Sequence, residues 1–184
     1  MSFSLPPPGQ EALLLIVVLV AAIYDLRYRR IPNWLTGSGV LAGLAMNSFL
    51  YPVWPGLKFS LLGLAAGFGL YFLLYAIRAM GAGDVKLMAA VGAIVGWQNW
   101  FGIFIITAIL GGIMAVVFSL FKKRLGKTFF NVGFILSEMG RGRPAYLSKE
   151  ELDVKSEKAL RMPHGAVIAV STIIYVGLAA LYTR

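Results

Sequence analysis

The chain has 184 residues, of which 59% are hydrophobic and only 14% are charged. This balance excludes an ordinary soluble domain and indicates an integral membrane protein. The net charge is +9, from 17 Lys and Arg residues against eight Asp and Glu residues, and the chain contains no cysteine. The missing thiols exclude disulfides, thiolate zinc sites and a cysteine nucleophile.

Long apolar runs predict where helices cross a bilayer, because a hydrocarbon core about 30 Å thick needs roughly 20 apolar residues. The chain has five such runs: Ala12–Tyr24, Ile31–Leu57, Phe59–Ile77, Leu87–Phe121 and Pro163–Thr183. The fourth run would form a helix of about 50 Å, which is too long for one crossing. Its polar stretch Gly96–Trp100, flanked by interface-favouring tryptophans, predicts a tight hairpin. We therefore predict an all-α protein with six transmembrane helices.

The basic residues predict how these helices are oriented, since Lys and Arg collect in cytoplasmic loops. With six spans, 15 of the 17 basic residues fall on one side, and only Lys58 and Arg184 fall on the other. We predict that the basic side is cytoplasmic, that both termini lie outside, and that residues 122–162 form a cytoplasmic loop within a single transmembrane domain, 1–184. Because the positive charge is spread over every inner loop, we expect membrane lipids as partners and no nucleic acid.

Two of the eight acidic residues fall at the predicted cytoplasmic membrane boundary. Asp25 closes the first apolar run, and Asp84 lies between the third span and the short fourth one. A carboxylate near lipid is costly unless it faces a protein interior or a watery cavity, so both residues are functional candidates. A pair of carboxylates around one water can perform acid and base chemistry together, and this chemistry needs neither a metal nor a cofactor. We predict neither.

Each aspartate also has a simpler interpretation. Asp84 follows Gly81 and Gly83 and precedes a helix, so it can serve as an N-cap. Asp25 can act as an interfacial counter-ion for Arg29, four residues further along the same helical face. Two other functions remain open for the pair: a proton- or ion-coupled transporter subunit, whose carboxylates would lie near the bilayer midplane, and a non-catalytic assembly platform.

Residues close to the two aspartates in sequence predict how the site is shaped. The glycines Gly81 and Gly83 permit close backbone approach and unusual dihedrals beside Asp84, as an extended peptide substrate requires. Lys86 and Arg29 are candidate site-shaping cations, although both also suit the role of topogenic charges at the membrane surface. His164 is the only histidine, so it cannot build a multi-histidine metal site, and we expect it to be an interfacial bystander.

Two stretches carry a resemblance to a known family. The chain from Asp25 reads DLRYRRIPN and the chain from Gly81 reads GAGDVKL, and both resemble, in order and spacing, the signatures of the type IV prepilin peptidases. The second contains the GxGD pattern that this family shares with preflagellin peptidases and presenilin-type proteases. The segment Pro163–Ala166 also resembles the proline-glycine segment at the entry to the family's last helix.

The resemblance implies an intramembrane aspartyl peptidase of the bacterial cytoplasmic membrane. Its catalytic pair would be Asp25 and Asp84, and its substrates would be prepilins or pseudopilins that lose a short basic leader at the cytoplasmic face. The chain lacks the N-terminal extension with paired cysteines of the larger bifunctional members. It is similar to the short peptidases of tight-adherence (Flp-type) pilus systems, so we expect no N-methyltransferase activity.

Overall fold

The computed structural model describes residues 6–122 and 163–182, together with residues 126, 130, 133, 134 and 137. The predicted cytoplasmic loop 122–162 therefore lies outside the described residues, except for Lys122 and those single positions. The described elements are five α-helices: α1 (Pro8–Tyr28), α2 (Asn33–Leu50), α3 (Val53–Ala76), α4 (Ala82–Phe121) and α5 (His164–Tyr182). This confirms the all-α class for the described part of the chain.

Prolines set the starts of the first three helices. Pro8 is the first residue of α1, while Pro32 and Pro52 occupy the N-cap positions of α2 and α3. A proline fixes its own φ and lacks an N–H, so it suits a helix entry, where that N–H would have no helical acceptor. These residues therefore begin new helices close to where the apolar runs begin.

Helix α4 reverses direction at Gly96. This glycine has φ 75° and ψ 168°, which interrupts the helical backbone. The φ value lies in a region that residues with a Cβ avoid, and the ring of Phe59 occupies the space where a Cβ would project. Glycine is therefore required at this position, and α4 consists of a first arm before it and a second arm after it.

Contacts along α3 show that the two arms run antiparallel. Successive glycines of α3 approach one residue from each arm: Gly63 approaches Gly92 and Gly96, and Gly67 approaches Met88 and Trp100. One turn further, the ring of Tyr71 packs edge-on against Phe104 of the second arm. From Gly63 to Tyr71, the contacts of α3 move to earlier residues of the first arm and to later residues of the second arm. The two arms therefore run in opposite directions. The reversal lies at the start of the predicted Gly96–Trp100 hairpin.

Among the described residues, four helices are long and apolar enough to cross a membrane: α1, α3, α4 and α5. Helix α2 is not among them, and the first arm of α4, residues 82–95, would measure only about 21 Å. The count of six transmembrane helices therefore stays a prediction. Large apolar side chains project outward from the bundle, as contact with lipid requires; they include Ile16, Phe49, Leu73, Ile109 and Leu181.

The predicted interfacial position of Trp100 is wrong, although Trp97 is half exposed as expected. Trp100 is only 3% exposed, and its ring stacks on Phe104 with centroids 5.5 Å apart. Because the second arm is helical from the reversal onward, Trp97 and Trp100 do not flank a loop. Trp100 instead turns inward against the glycine side of α3.

A buried polar network closes the bundle at the end where α4 reverses. The side chain of Gln10 donates to Asn47, and Asn47 Nδ2 donates to Ser60 Oγ at 2.7 Å. The same amide lies 3.1 Å from each of the carbonyl oxygens of Ala93 and Ile94. These carbonyls belong to the last turn of the first arm, where a helix leaves acceptors without helical donors. Asn47 thus joins α1, α2 and α3 to the reversal.

Substituting Asn47→Leu should destabilise the bundle, because the carbonyls of Ala93 and Ile94 would then be buried without this donor. An unsatisfied buried acceptor costs about 1–3 kcal/mol, so we expect the free energy of unfolding in detergent to fall by about 2–4 kcal/mol. The matched control is Ser48→Ala, whose hydroxyl bonds only the Leu44 carbonyl of its own helix. Equal stability of the two variants would contradict the role assigned to Asn47.

Candidate functional site

A cavity of about 650 Å³ lies at the opposite end of the bundle from the Asn47 network. Helices α1 and α3 end beside this cavity, and α2, α4 and α5 begin there. Its lining includes both predicted aspartates, Asp25 and Asp84, and also Tyr71 and Thr107 from the interior of α3 and α4. The reversal of α4 explains this composition, because it returns the second arm to the end where the first arm starts.

Asp25 is held by α5. The residue lies in the last turn of α1 and is only 8% exposed, and its Oδ2 accepts a hydrogen bond of 2.8 Å from the backbone N–H of Gly165. A Cβ at Gly165 would lie 3.1 Å from that oxygen and 3.1 Å from the Cβ of Asp25. Glycine therefore lets the N-terminus of α5 approach the carboxylate, and N–H groups at a helix N-terminus favour a negative charge.

The counter-ion interpretation of Asp25 holds in part. Arg29 lies just beyond the end of α1 with φ 53°, and its backbone N–H donates to the Asp25 carbonyl. Its guanidinium charge still acts on the Asp25 carboxylate, and Arg29 lines the cavity. Asp25 thus has a nearby cation from its own segment and a hydrogen-bond donor from α5.

Asp84 caps its helix and also faces the cavity. It is the third residue of α4 rather than the N-cap, and its Oδ2 accepts a hydrogen bond of 3.3 Å from the backbone N–H of Gly81. The side chain is partly buried and lies close enough to Asp25 for the two carboxylates to interact electrostatically. The capping interpretation and the paired-carboxylate interpretation are therefore compatible.

The glycines of the GxGD segment provide close approach rather than unusual dihedrals. Gly81 has φ −80°, and the one glycine with positive φ in the described part of the chain is Gly96. A Cβ at Gly83 would lie 3.3 Å from the Cβ of Ile31. The expectation of unusual dihedrals at Gly81 and Gly83 is therefore wrong, and Gly83 instead allows α4 to pack against the segment before α2.

The two sequence signatures interlock through a second contact. The exposed Lys86 donates from Nζ to Asn33 Oδ1 at 2.9 Å, which joins the last residue of DLRYRRIPN to GAGDVKL. Together with the contact of Ile31 and Gly83, this bond fixes the start of α4 relative to the end of α1. Lys86 thus shapes the site by tying two segments together, and it also lines the cavity.

Three residues of the site were missed or set aside in the sequence analysis. Tyr71 lies inside an apolar run, and no local pattern marks it as a cavity residue. Gly165 was noted only as part of a resembling segment. His164, expected to be a bystander, lines the cavity with its ring 6.2 Å from that of Tyr71. Its Nε2 is buried and has no hydrogen-bond partner among the described residues.

The described residues contain no group of three or more His, Cys, Asp or Glu side chains that could hold a metal ion. The cavity lining offers two carboxylates, each with a backbone N–H donor, together with a tyrosine, a histidine and nearby cations. Such a pair can activate a water molecule with one carboxylate and donate a proton with the other.

Comparison with known proteins identifies relatives of this chain. The model of the type IV leader peptidase family matches residues 12–116, which include both signatures and both aspartates. Three proteins named prepilin leader peptidase/N-methyltransferase are similar to it. The protein of Pectobacterium carotovorum is 30% identical over 118 residues, that of Burkholderia pseudomallei 31% over 107, and that of Legionella pneumophila 31% over 115.

These alignments cover 54–60% of this chain. The chain spans well under half the length of these relatives, between 34% and 42%. No solved structure matches the chain. The region matched by the family model carries both aspartates and most of the cavity lining, but not His164.

Cysteine pairing can test the interlocked geometry, because the natural chain has no cysteine. A Cβ at residue 83 would lie 3.3 Å from the Cβ of Ile31, which is close to the separation of about 3.8 Å between the Cβ atoms of a disulfide. We expect the double variant Ile31→Cys/Gly83→Cys to form an internal disulfide on mild oxidation in membranes, and so to resist maleimide-polymer labelling after denaturation.

The matched control for this experiment is Ile31→Cys/Gly69→Cys. A Cβ at Gly69 would have nothing within 4 Å, so both of its thiols should be labelled and shift the band on a gel. Full labelling of the 31/83 pair would show that the two signatures do not meet as described.

Proposed function

Because this chain belongs to the type IV leader peptidase family, we propose that it is an intramembrane aspartyl endopeptidase. It removes the short basic leader from type IV or Flp-type prepilins and pseudopilins. The observation that carries this proposal is the meeting of Asp25 and Asp84 in one cavity, within electrostatic reach of each other. The names of the relatives support the substrate class.

The paired carboxylates account for peptide hydrolysis without a covalent intermediate. The ionised member takes a proton from a water molecule, whose oxygen attacks the scissile carbonyl carbon, while the protonated member donates its proton to the carbonyl oxygen. Collapse of the resulting gem-diol breaks the C–N bond. The carboxyl that took the water proton gives it to the leaving amine, and the other carboxylate takes a proton from a gem-diol hydroxyl, which restores the pair. Two carboxylates held close together resist double ionisation, so one proton shared by the pair suits both roles.

The substrate must bind in an extended conformation, because helical carbonyls are occupied by their own hydrogen bonds. The cavity has room for such a segment beside the GxGD turn, where Gly81 and Gly83 carry no side chains. An extended peptide also needs hydrogen-bond partners for its own backbone at this depth. The polar groups that line the cavity around the two aspartates can supply these hydrogen bonds to the substrate backbone.

The charge distribution supports a cytoplasmic position for the cavity. Six described basic residues lie at or beyond the cavity end of the helices: Arg27, Arg29, Arg30, Arg78, Lys86 and Lys122. Lys58, in the first turns of α3, lies at the other end. Since Lys and Arg collect on the cytoplasmic side, leader removal occurs at the cytoplasmic membrane face, with both termini outside in the six-helix layout.

The transporter alternative is less well supported by the geometry. Ion-coupled carriers hold their carboxylates near the bilayer midplane, between repeated halves. Asp25 lies in the last turn of α1 and Asp84 in the first turn of α4, so both lie at one end of the bundle. A peptidase that acts at the membrane boundary needs them there.

Replacing either aspartate by asparagine should abolish leader removal, because the amide keeps the shape of the side chain but cannot exchange a proton. General acid or base catalysis contributes about 10²–10⁴-fold, so Asp25→Asn and Asp84→Asn should each lower the cleavage rate of a co-expressed Flp-type prepilin at least about 100-fold. Leader removal is followed by the gel mobility of the pilin, with membrane accumulation of each variant checked in parallel.

Glu11→Gln is the matched control, since it makes the same chemical change in the first turn of α1, at the end away from the cavity. It should cleave at the wild-type rate. If both aspartate variants cleave as fast as Glu11→Gln, the assignment of the catalytic pair is wrong. If the wild type leaves several prepilins uncut, the peptidase function itself is wrong.

We also propose that this chain performs cleavage without N-methylation. The relatives carry both activities in their names, and this part of the proposal rests on the resemblance to the short peptidases of tight-adherence pilus systems. Mass spectrometry of pilin processed by this chain, with S-adenosylmethionine present, should show an unmethylated N-terminus. A methylated N-terminus that depends on the chain would contradict this part of the proposal.

A further inference from the structure

Tyr71 is a buried tyrosine whose hydroxyl has no hydrogen-bond partner in the described part of the protein. The residue is only 1% exposed, yet it lines the cavity, and no hydrogen bond joins its side chain to another described residue. Buried tyrosines usually find a protein partner for the hydroxyl. The Tyr71 hydroxyl oxygen instead keeps some exposure to the cavity. The other fully buried tyrosine among the described residues does find a protein partner, because Tyr175 donates to Asn99 Oδ1 at 2.7 Å.

The ring of Tyr71 is fixed from two sides. Phe104 of the second arm packs edge-on against it, with centroids 6.2 Å apart and an interplanar angle of 81°. His164 at the start of α5 contacts it with centroids also 6.2 Å apart. One turn earlier on α3, Gly67 lies against the backbone of Met88, which holds α3 close to α4. The position of the hydroxyl is therefore set by packing rather than by a hydrogen bond.

Tyr71 and Asp84 line the same cavity. The charge of the Asp84 carboxylate acts on the Tyr71 hydroxyl, yet no hydrogen bond joins the two side chains. Asp84 Oδ2 accepts instead from the backbone N–H of Gly81. A fixed O–H donor beside the carboxylate pair is thus left available for whatever enters the cavity.

We propose that Tyr71 is a third catalytic residue, whose hydroxyl donates a hydrogen bond to a backbone carbonyl oxygen of the bound substrate at the scissile bond. This inference rests on the proposed peptidase function. The tyrosine keeps its proton throughout, and no bond to it forms or breaks. As the carbonyl oxygen gains negative charge, the hydrogen bond strengthens, so Tyr71 stabilises the transition state more than the bound substrate.

The variant Tyr71→Phe tests this role, because it removes the hydroxyl and keeps the ring between Phe104 and His164. We expect kcat for leader cleavage to fall about 10- to 100-fold with little change in KM, as for loss of an interaction that strengthens in the transition state. The thermal midpoint in detergent should stay unchanged or rise, because no protein hydrogen bond is lost.

Tyr175→Phe is the matched control. It removes a buried hydroxyl that bonds Asn99 away from the cavity, so the thermal midpoint should fall while kcat stays within about twofold of wild type. Tyr71→Phe should thus lower kcat without lowering the thermal midpoint, whereas Tyr175→Phe should lower the thermal midpoint with little change in kcat. A purely structural Tyr71 would not produce this difference.

The outcomes separate this inference from the proposed function. If Asp25→Asn and Asp84→Asn are inactive but Tyr71→Phe cleaves at the wild-type rate, the peptidase stands and the role of Tyr71 is wrong. If Tyr71→Phe loses activity only in proportion to a lowered thermal midpoint, Tyr71 is a packing residue and the inference is also overturned. Failure of the wild type to cleave any prepilin overturns both proposals.

Discussion

Inside a membrane, every backbone polar group and every carboxylate needs a partner within the protein, because hydrocarbon supplies none. The reversal of α4 at Gly96 is where this requirement is most demanding, since a helix that ends inside the bundle leaves carbonyl acceptors without helical donors. Asn47 meets the requirement by donating to the carbonyls of Ala93 and Ile94. The short first arm of α4 can therefore remain buried.

The reversal also determines the shape of the site at the other end. The first arm begins with the GxGD segment and places Asp84 beside Asp25, while the second arm returns to the same end and adds Phe104 and Thr107 to the cavity wall. A straight helix of the same length would carry those residues away from Asp84. The network at one end and the cavity at the other are thus consequences of the same change in chain direction.

The two aspartates illustrate why structural and catalytic interpretations need not compete. Asp84 caps α4 through Gly81 and Asp25 accepts from Gly165, so each carboxylate has a hydrogen-bond donor that fixes its position. Carboxylates that perform acid and base chemistry need such positioning, because proton transfer depends on geometry before it depends on proton affinity. The contact with Gly165 further makes the start of α5, which follows residues 123–162, part of the support for the proposed catalytic pair.

The sequence by itself determined the all-α class, the reversal near Gly96 and the choice of Asp25 and Asp84 as candidate site residues. These features depend on local properties: hydrophobic run length, a polar turn that interrupts the longest apolar run, and the rarity of acidic residues at a membrane boundary. Tertiary structure alone decided that Gly165 holds Asp25, that Lys86 binds Asn33, that Trp100 turns inward and that Tyr71 faces the cavity. Each of these joins segments far apart in the chain, and the partner of a side chain is set by how helices pack rather than by its neighbours in sequence.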